Sequence, residues 1–282
     1  MIVVTDKKSL AAQLFSQRQY DKKIGFVPTM GALHQGHLAL VNRALKENDF
    51  VVVSIYVNPT QFDNQSDLQK YPRILQSDKG LLEGLNGDML LYTPNNEDIY
   101  GEEVRSEAFN FSELENKMEG KYREGHFDGV ATVVSKLFEI VKPNCAYFGE
   151  KDFQQLLIIK ELVRMKNLPV EIIGCPIVRE ANGLAMSSRN KRLTPEQREK
   201  ATIIHQTLSD VREKFESHTI PALNEMVRER FLQEPFLELE YFQIAEASTL
   251  VEVKQKKAGD QYRAFIAAYC GEVRLIDNMA LN

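Results

Sequence analysis

Apolar and polar positions along this chain follow two alternating rhythms. Ile24-Gly25-Phe26-Val27 is a short apolar run, and Leu38-Ala39-Leu40-Val41-Asn42-Arg43-Ala44-Leu45 is amphipathic. The first predicts a strand and the second a helix, with a glycine-bearing turn between them. Ahead of them, 6–19 predicts a helix with Leu10, Leu14 and Phe15 on one face. The run 50–57, F-V-V-V-S-I-Y-V, is nearly all β-branched or aromatic and suits a parallel strand covered on both faces. The pattern continues with a helix over 78–85, a strand over 88–92 and a helix over 130–141 that turns Val133, Val134, Leu137, Phe138 and Val141 inward. It closes with a strand over 145–148, a helix over 153–165 and a strand over 170–175. Only 94–122 is nearly patternless, beyond a helical turn near 112–118.

Strand and helix in strict alternation predict an α/β fold, a Rossmann-like doubly wound parallel sheet. After Pro176 the rhythm changes. A polar, glycine-containing stretch, 180–193, leads into a long helix over 195–215 and a second over 220–232. Three strand-like runs follow, 237–244, 262–268 and 273–277, with no helix between them. That order predicts a smaller α+β C-terminal domain with an antiparallel sheet, so the expected domains are 1–176 and 177–282.

Composition narrows the class. The chain has 282 residues, 43% hydrophobic and 27% charged, with a net charge of −5. These are the proportions of an ordinary globular protein. The negative balance argues against a general nucleic-acid binder, which carries a basic face. The first residues, M-I-V-V-T-D-K-K, do not form a signal peptide, and the longest strongly apolar run is far shorter than the ~18 residues of a membrane span. The three cysteines, Cys145, Cys175 and Cys270, are widely separated and read as reduced buried thiols. A cytoplasmic location is expected.

The candidate chemistry begins at the first strand–turn–helix unit. Residues 28–37 read P-T-M-G-A-L-H-Q-G-H. A helix start offers unpaired N–H groups and partial positive charge, which suits a phosphate. His34 and His37, three apart, share one side of the turn and add donors that adjust their charge near neutral pH. Gly36 between them allows close approach to the backbone. The expected ligand is a polyphosphate whose phosphorus gains charge during reaction.

A second group, Gly149-Glu150-Lys151-Asp152, stands where a strand passes into a helix. Lys151 supplies a point charge for phosphate; Asp152 suits either a pair of ribose hydroxyls or a helix N-cap. Gln155, one turn on, is a neutral amide fitted to a hydroxyl or carboxylate. A third group, Met186-Ser187-Ser188-Arg189-Asn190-Lys191-Arg192, is a small-residue basic loop. Gln61, in the polar segment after the 50–57 strand, is a further candidate for an uncharged substrate contact. Tyr71 fits packing or substrate equally, and His126 in E-G-H-F-D-G reads as a structural residue or a gate.

His34-Gln35-Gly36-His37 resembles the HxGH signature of the nucleotidylyltransferase superfamily, and 186–189 resembles that superfamily's phosphate-closing loop. Taken with V-N-P-T-Q-F, Y-P-R, E-G-H-F-D-G-V-A-T-V-V, Y-F-G-E-K-D-F-Q-Q, P-I-V-R-E and G-L-A-M-S-S-R-N, the chain resembles the pantoate–β-alanine ligase family. The motifs run in that family's order from residue 28 to about residue 193.

The resemblance implies ATP-dependent joining of pantoate to β-alanine through pantoyl adenylate, with AMP and pyrophosphate released. It implies His34 and His37 as catalytic residues. It implies an ATP site made of Met30, Gly31, Ala32, Leu33, His34, Gln35, Gly36 and His37, with Gly149, Glu150, Lys151, Asp152 and Val178, and with Met186, Ser187, Ser188 and Arg189. Gln61 and Gln155 would hold pantoate. Mg²⁺ would enter with ATP, no metal site would belong to the protein itself, and Asp78 is an outer-sphere candidate. The C-terminal domain would act as a lid, and the family's usual state is a homodimer. The other readings are an adenylyltransferase with a stable adenylylated product, a fragment of an aminoacyl-tRNA synthetase and a non-enzymatic nucleotide-binding module.

Overall fold

A computed structural model describes residues 1–282, and their backbone contacts separate them into two units. One holds residues 1–150 and 154–176; the other holds 151–153 and 177–282.

The first unit is built on a six-stranded sheet whose pairings are all parallel. The strands are β1 (Ile2–Val4), β2 (Ile24–Thr29), β3 (Phe50–Ile55), β4 (Met89–Tyr92), β5 (Cys145–Gly149) and β6 (Glu171–Cys175), in the spatial order β1-β4-β3-β2-β5-β6. Their side chains sort by the two-residue period of a strand. Val27, Val51, Val53, Leu91 and Tyr147 enter one core with Leu38, Val41 and Ala44 of the helix Gln35–Glu47. On the opposite parity, Phe26 meets Phe138 of the helix His126–Val141 edge to face, at 6.2 Å between centroids. Both faces of the sheet are thus covered, which is why β3 and β4 read as unbroken apolar runs.

Order reverses at β2, where the chain's early strands lie to one side and β5 and β6 to the other. That reversal is where α/β sheets place ligands, outside the carboxyl ends of the strands. Pro28 lacks an N–H, and β5 pairs with β2 only at Gly25 and Phe26, so the proline falls beyond that ladder.

The second unit has a three-stranded antiparallel sheet, β7 (Leu237–Glu246), β8 (Tyr262–Cys270) and β9 (Val273–Ala280), with β8 in the middle. Helices Pro195–Lys200, Thr202–Lys214 and Ile220–Leu232 belong to it. Ile204, Leu208, Val211, Leu223 and Val227 from the helices share a core with Ile244, Ile266 and Ala268 from the strands.

Several elements differ from the sequence expectation. The helix predicted over 195–215 is two helices that meet at Ala201. Phe15 is 64% exposed, so the inward face of Lys7–Gln19 is Leu10 and Leu14 alone. The helix expected from residue 130 begins a turn earlier, at His126, and the segment after β3 contains a 3₁₀ turn, Pro59–Gln61. β1 and the short helix Asn96–Tyr100 had no sequence counterpart.

Candidate active site

The loop between β2 and the helix Gln35–Glu47 is fixed by its own backbone. Gly31 and Ala32 both lie in the left-handed region, at φ +79° and +51°. Glycine adopts this at little cost, and alanine does so only when its surroundings demand it. The demand comes from Asp78, 1% exposed, whose carboxylate accepts from the N–H of Ala32 at 2.8 Å and of Leu33 at 2.7 Å. A Cβ on Gly31 would stand 3.0 Å from the same carboxylate. Thr29 completes the turn: its hydroxyl accepts from Gly31 N–H and donates to the Ser54 carbonyl. Both Asp78 oxygens thus serve the loop's backbone, which gives this carboxylate an anchoring role.

The turn delivers His34 to the helix N-cap in extended geometry, with no side-chain capping bond. The start of the helix is left open to an anion. The rings of His34 and His37 stand 4.0 Å apart between centroids, tilted by 34°. Both are half-buried, as are Met30 and Gly36, while Ala32 and Leu33 are buried beneath and Gln35 faces outward.

Gln61 is 8% exposed at the end of the 3₁₀ turn after β3. Its amide nitrogen donates to Met30 Sδ at 3.0 Å, and its amide oxygen accepts from Asn58 Nδ2 at 3.1 Å. Asn58, 1% exposed, also donates to the Gly129 carbonyl and accepts from the Tyr100 and Thr60 hydroxyls. Burial pushes the Tyr100 phenol up, so it remains a donor in this cluster. Gln61 and the histidine loop therefore share a physical link through Met30.

The other predicted residues are divided between the two units. Gly149 and Glu150 are half-buried at the end of β5, and Gln155 is half-buried on the helix Phe153–Met165. Its neighbour Gln154 is the buried glutamine of the pair: it accepts from the Glu119 N–H and donates to the carbonyls of Leu114 and Lys117. Sequence reasoning singles out Gln155 of the pair, and the amide of Gln154 is taken up within the fold.

Lys151 and Asp152 belong with the second unit. Asn278 donates to the Lys151 carbonyl, and Phe153 stacks under the Arg263 guanidinium. Val178 accepts from Met186 N–H at 3.0 Å, and Arg179 bridges to Ala185, so the predicted adenine and phosphate segments form two arms of one hairpin. Ser187 caps the turn Ser188–Arg192 by accepting from Arg189 N–H. Ser188 is buried and Arg189 half-buried.

A groove of about 760 Å³ lies in the first unit, beyond the carboxyl ends of β3 and β4, and touches Met30, Gly31, Tyr56, Arg73 and Asn96. Neither Gln61 nor Gln155 lines it. All three cysteines are free and buried, and burial pushes each thiol up, away from the reactive thiolate. No helix is long and apolar enough to cross a membrane.

Sequence reasoning passed over Asn58, Arg123 and Gly129. A signal did exist for Gly129: a glycine inside a helical pattern points to close backbone approach. A Cβ there would lie 2.2 Å from the Thr60 carbonyl oxygen.

The first unit is thus a doubly wound parallel α/β sheet that carries paired imidazoles at a helix start. Comparison gives the family. The sequence profile of the pantoate-beta-alanine ligase family matches residues 2–280. A pantothenate synthetase from Christiangramia forsetii is 50% identical over 282 residues, covering 100% of both chains. The crystal structure of pantothenate synthetase from Thermus thermophilus superposes with a TM-score of 0.92 at 42% identity, covering 100% of this chain and 99% of that one. A pantoate-beta-alanine ligase from Francisella tularensis, complexed with β-γ ATP and β-alanine, has a TM-score of 0.80 at 41% identity, covering 100% and 98%. This chain belongs to the pantoate–β-alanine ligase family and is an enzyme of the ligase class.

Proposed function

We propose that this enzyme joins pantoate to β-alanine in two steps at the expense of ATP, forming pantothenate. In the first, a pantoate carboxylate oxygen attacks the α-phosphorus of ATP, and the bond to the β-phosphate breaks to release pyrophosphate. In the second, the β-alanine amine attacks the acyl carbon of pantoyl adenylate, loses a proton and expels AMP. The observation that carries this reading is the His34–His37 pair, held 4.0 Å apart at an uncapped helix start. Such an arrangement serves charge growing on a phosphate.

In this reading His34 and His37 face the α-phosphate, and the backbone of 30–37 cradles the triphosphate. Gly149, Glu150, Lys151 and Asp152 line the nucleotide, with Asp152 on ribose and Lys151 on phosphate. Val178 meets adenine through its backbone, and Met186, Ser187, Ser188 and Arg189 close on the phosphates. Gln61 and Gln155 hold pantoate, with Gln61 also near β-alanine. Mg²⁺ would enter as ATP's companion. The domain over 177–282 serves as a lid that keeps water from the acyl adenylate. The enzyme acts as a cytoplasmic homodimer, as the family resemblance implies.

The test is exchange of labelled pyrophosphate into ATP with β-alanine omitted. Pantoate alone supports exchange if adenylation comes first. Exchange that appears only after β-alanine is added would overturn the two-step scheme.

A further inference from the structure

Gln61 owes its place to a contact on its main chain. Its carbonyl oxygen meets His126 Nδ1 at 2.8 Å and Arg123 Nη2 at 3.4 Å, while Arg123 Nη1 lies 3.0 Å from His126 Nε2. A guanidinium can only donate, so Nε2 accepts, and the proton of a neutral imidazole stands on Nδ1, aimed at the Gln61 carbonyl. His126 is 6% exposed at the first position of its helix, and Gly125 before it is left-handed at φ +71°. Arg123 is held in turn by Asp63 at 3.9 Å and Glu119 at 4.0 Å.

One turn into the same helix, Gly129 lies against the Thr60–Gln61 backbone, where a Cβ would come within 2.7 Å of Gln61 Cα. The helix start is therefore seated on the 3₁₀ turn, and His126 bonds it there. The amide of Gln61 then extends from a fixed main chain toward Met30.

We propose that His126 and Arg123 are positioning residues for substrate: they clamp the Gln61 carbonyl and thereby set where the Gln61 amide meets pantoate. This rests on the reading above in which Gln61 binds pantoate. The clamp reaches the histidine loop only through the Gln61–Met30 contact, and Ala32 and Leu33 of that loop are pinned separately by Asp78. Loosening the clamp should therefore cost pantoate recognition and spare ATP.

Steady-state kinetics on three variants test it. Gln61→Ala establishes whether this amide binds pantoate at all; a pantoate KM unchanged from the parent ends the substrate reading itself. His126→Ala is expected to raise the pantoate KM about 2- to 12-fold, the loss of one neutral hydrogen bond, with the ATP KM within about twofold of the parent. His126→Asn places an amide N–H near the Nδ1 position and is expected to recover most of that loss. A Gln61→Ala variant with raised pantoate KM beside a His126→Ala variant without one would overturn the clamp alone. So would a His126→Ala effect shared equally by ATP and pantoate, or a failure of asparagine to rescue.

Discussion

Two loops of this chain carry the residues suited to phosphate, and they are held in different ways. The loop over 30–37 is bound through its backbone to one buried carboxylate. Ala32 and Leu33 give their N–H groups to Asp78, and the left-handed pair Gly31–Ala32 exists only within that bond pattern. The hairpin over 178–189 is held, beyond its own backbone bonds, by two ion pairs and an asparagine amide. Arg179 makes a two-pronged contact with Asp277 at 2.6 and 3.1 Å, and Glu180 binds Arg198 and Asn190.

A charge buried on backbone donors fixes atoms to within a fraction of an ångström and fails abruptly when removed. A partly exposed ion pair such as Glu180–Arg198 is screened by water and fails gradually. The first arrangement suits imidazoles that must meet a transition state. The second suits a segment that closes and opens. The comparison predicts a steep order of mutational effects.

The largest effect belongs to His37, at the end of the rigid loop. His37→Ala is expected to lower adenylation by about 10²–10³-fold, the size of losing one transition-state donor, with a thermal melt near that of the parent. Parental activity in a folded His37→Ala variant would remove the rigid loop from the chemistry altogether.

That loop's place was legible in the sequence, and its anchor was not. P-T-M-G-A-L-H-Q-G-H announces itself by a strand before it, a helix after it and glycines within, all local signals. Asp78 reaches Ala32 and Leu33 across 46 and 45 residues, and no periodicity connects them. The buried hub at Asn58 escaped for the same reason: Gly129 and Tyr100, which it bonds, lie 71 and 42 residues away.

The covered strands read well because burial on both faces leaves a continuous apolar run. β1 did not, since its three residues include Ile2 at 50% and Val3 at 38% exposure and gain their structure from pairing with β4. The break at Ala201 was hidden because core residues resume with Ile204, Leu208 and Val211 at helical spacing. The basic loop over 186–189 was found by composition, whereas its pairing with Val178 in one hairpin is tertiary.

The second effect tests the anchor. Asp78→Asn keeps the shape and removes the charge, and its amide can present only one oxygen to two N–H groups. An N–H donor would then face an N–H donor in a buried site, at a cost of about 1–3 kcal/mol. The expected result is a lower melting temperature and a tenfold or larger loss in pyrophosphate exchange, with pantoate KM changed far less than kcat. If kcat stayed at the parental value while the melt fell, the anchor would hold the fold and not the histidines.

The smallest effect is expected at the hairpin's outer ion pair. Arg198 donates to both oxygens of Glu180 at 2.8 Å, and that pairing holds its guanidinium above the usual arginine range. The arginine side chain is still 46% exposed. Water and salt screen such a pair, and holding a long side chain in one geometry costs entropy, so its removal is worth about 0.2–1 kcal/mol. Glu180 also keeps its bond from Asn190, which is 2% exposed and ties the same carboxylate to the Ala185 carbonyl. Arg198→Ala should therefore leave the melt within a few degrees of the parent and change ATP KM less than about threefold, with the difference shrinking at high salt. Asn190→Ala, which cuts the buried link, should do more than Arg198→Ala on both measures. Should Arg198→Ala instead match Asp78→Asn in its loss of exchange activity, the hairpin would be as rigidly held as the histidine loop, and the contrast between the two ways of holding a loop would fail.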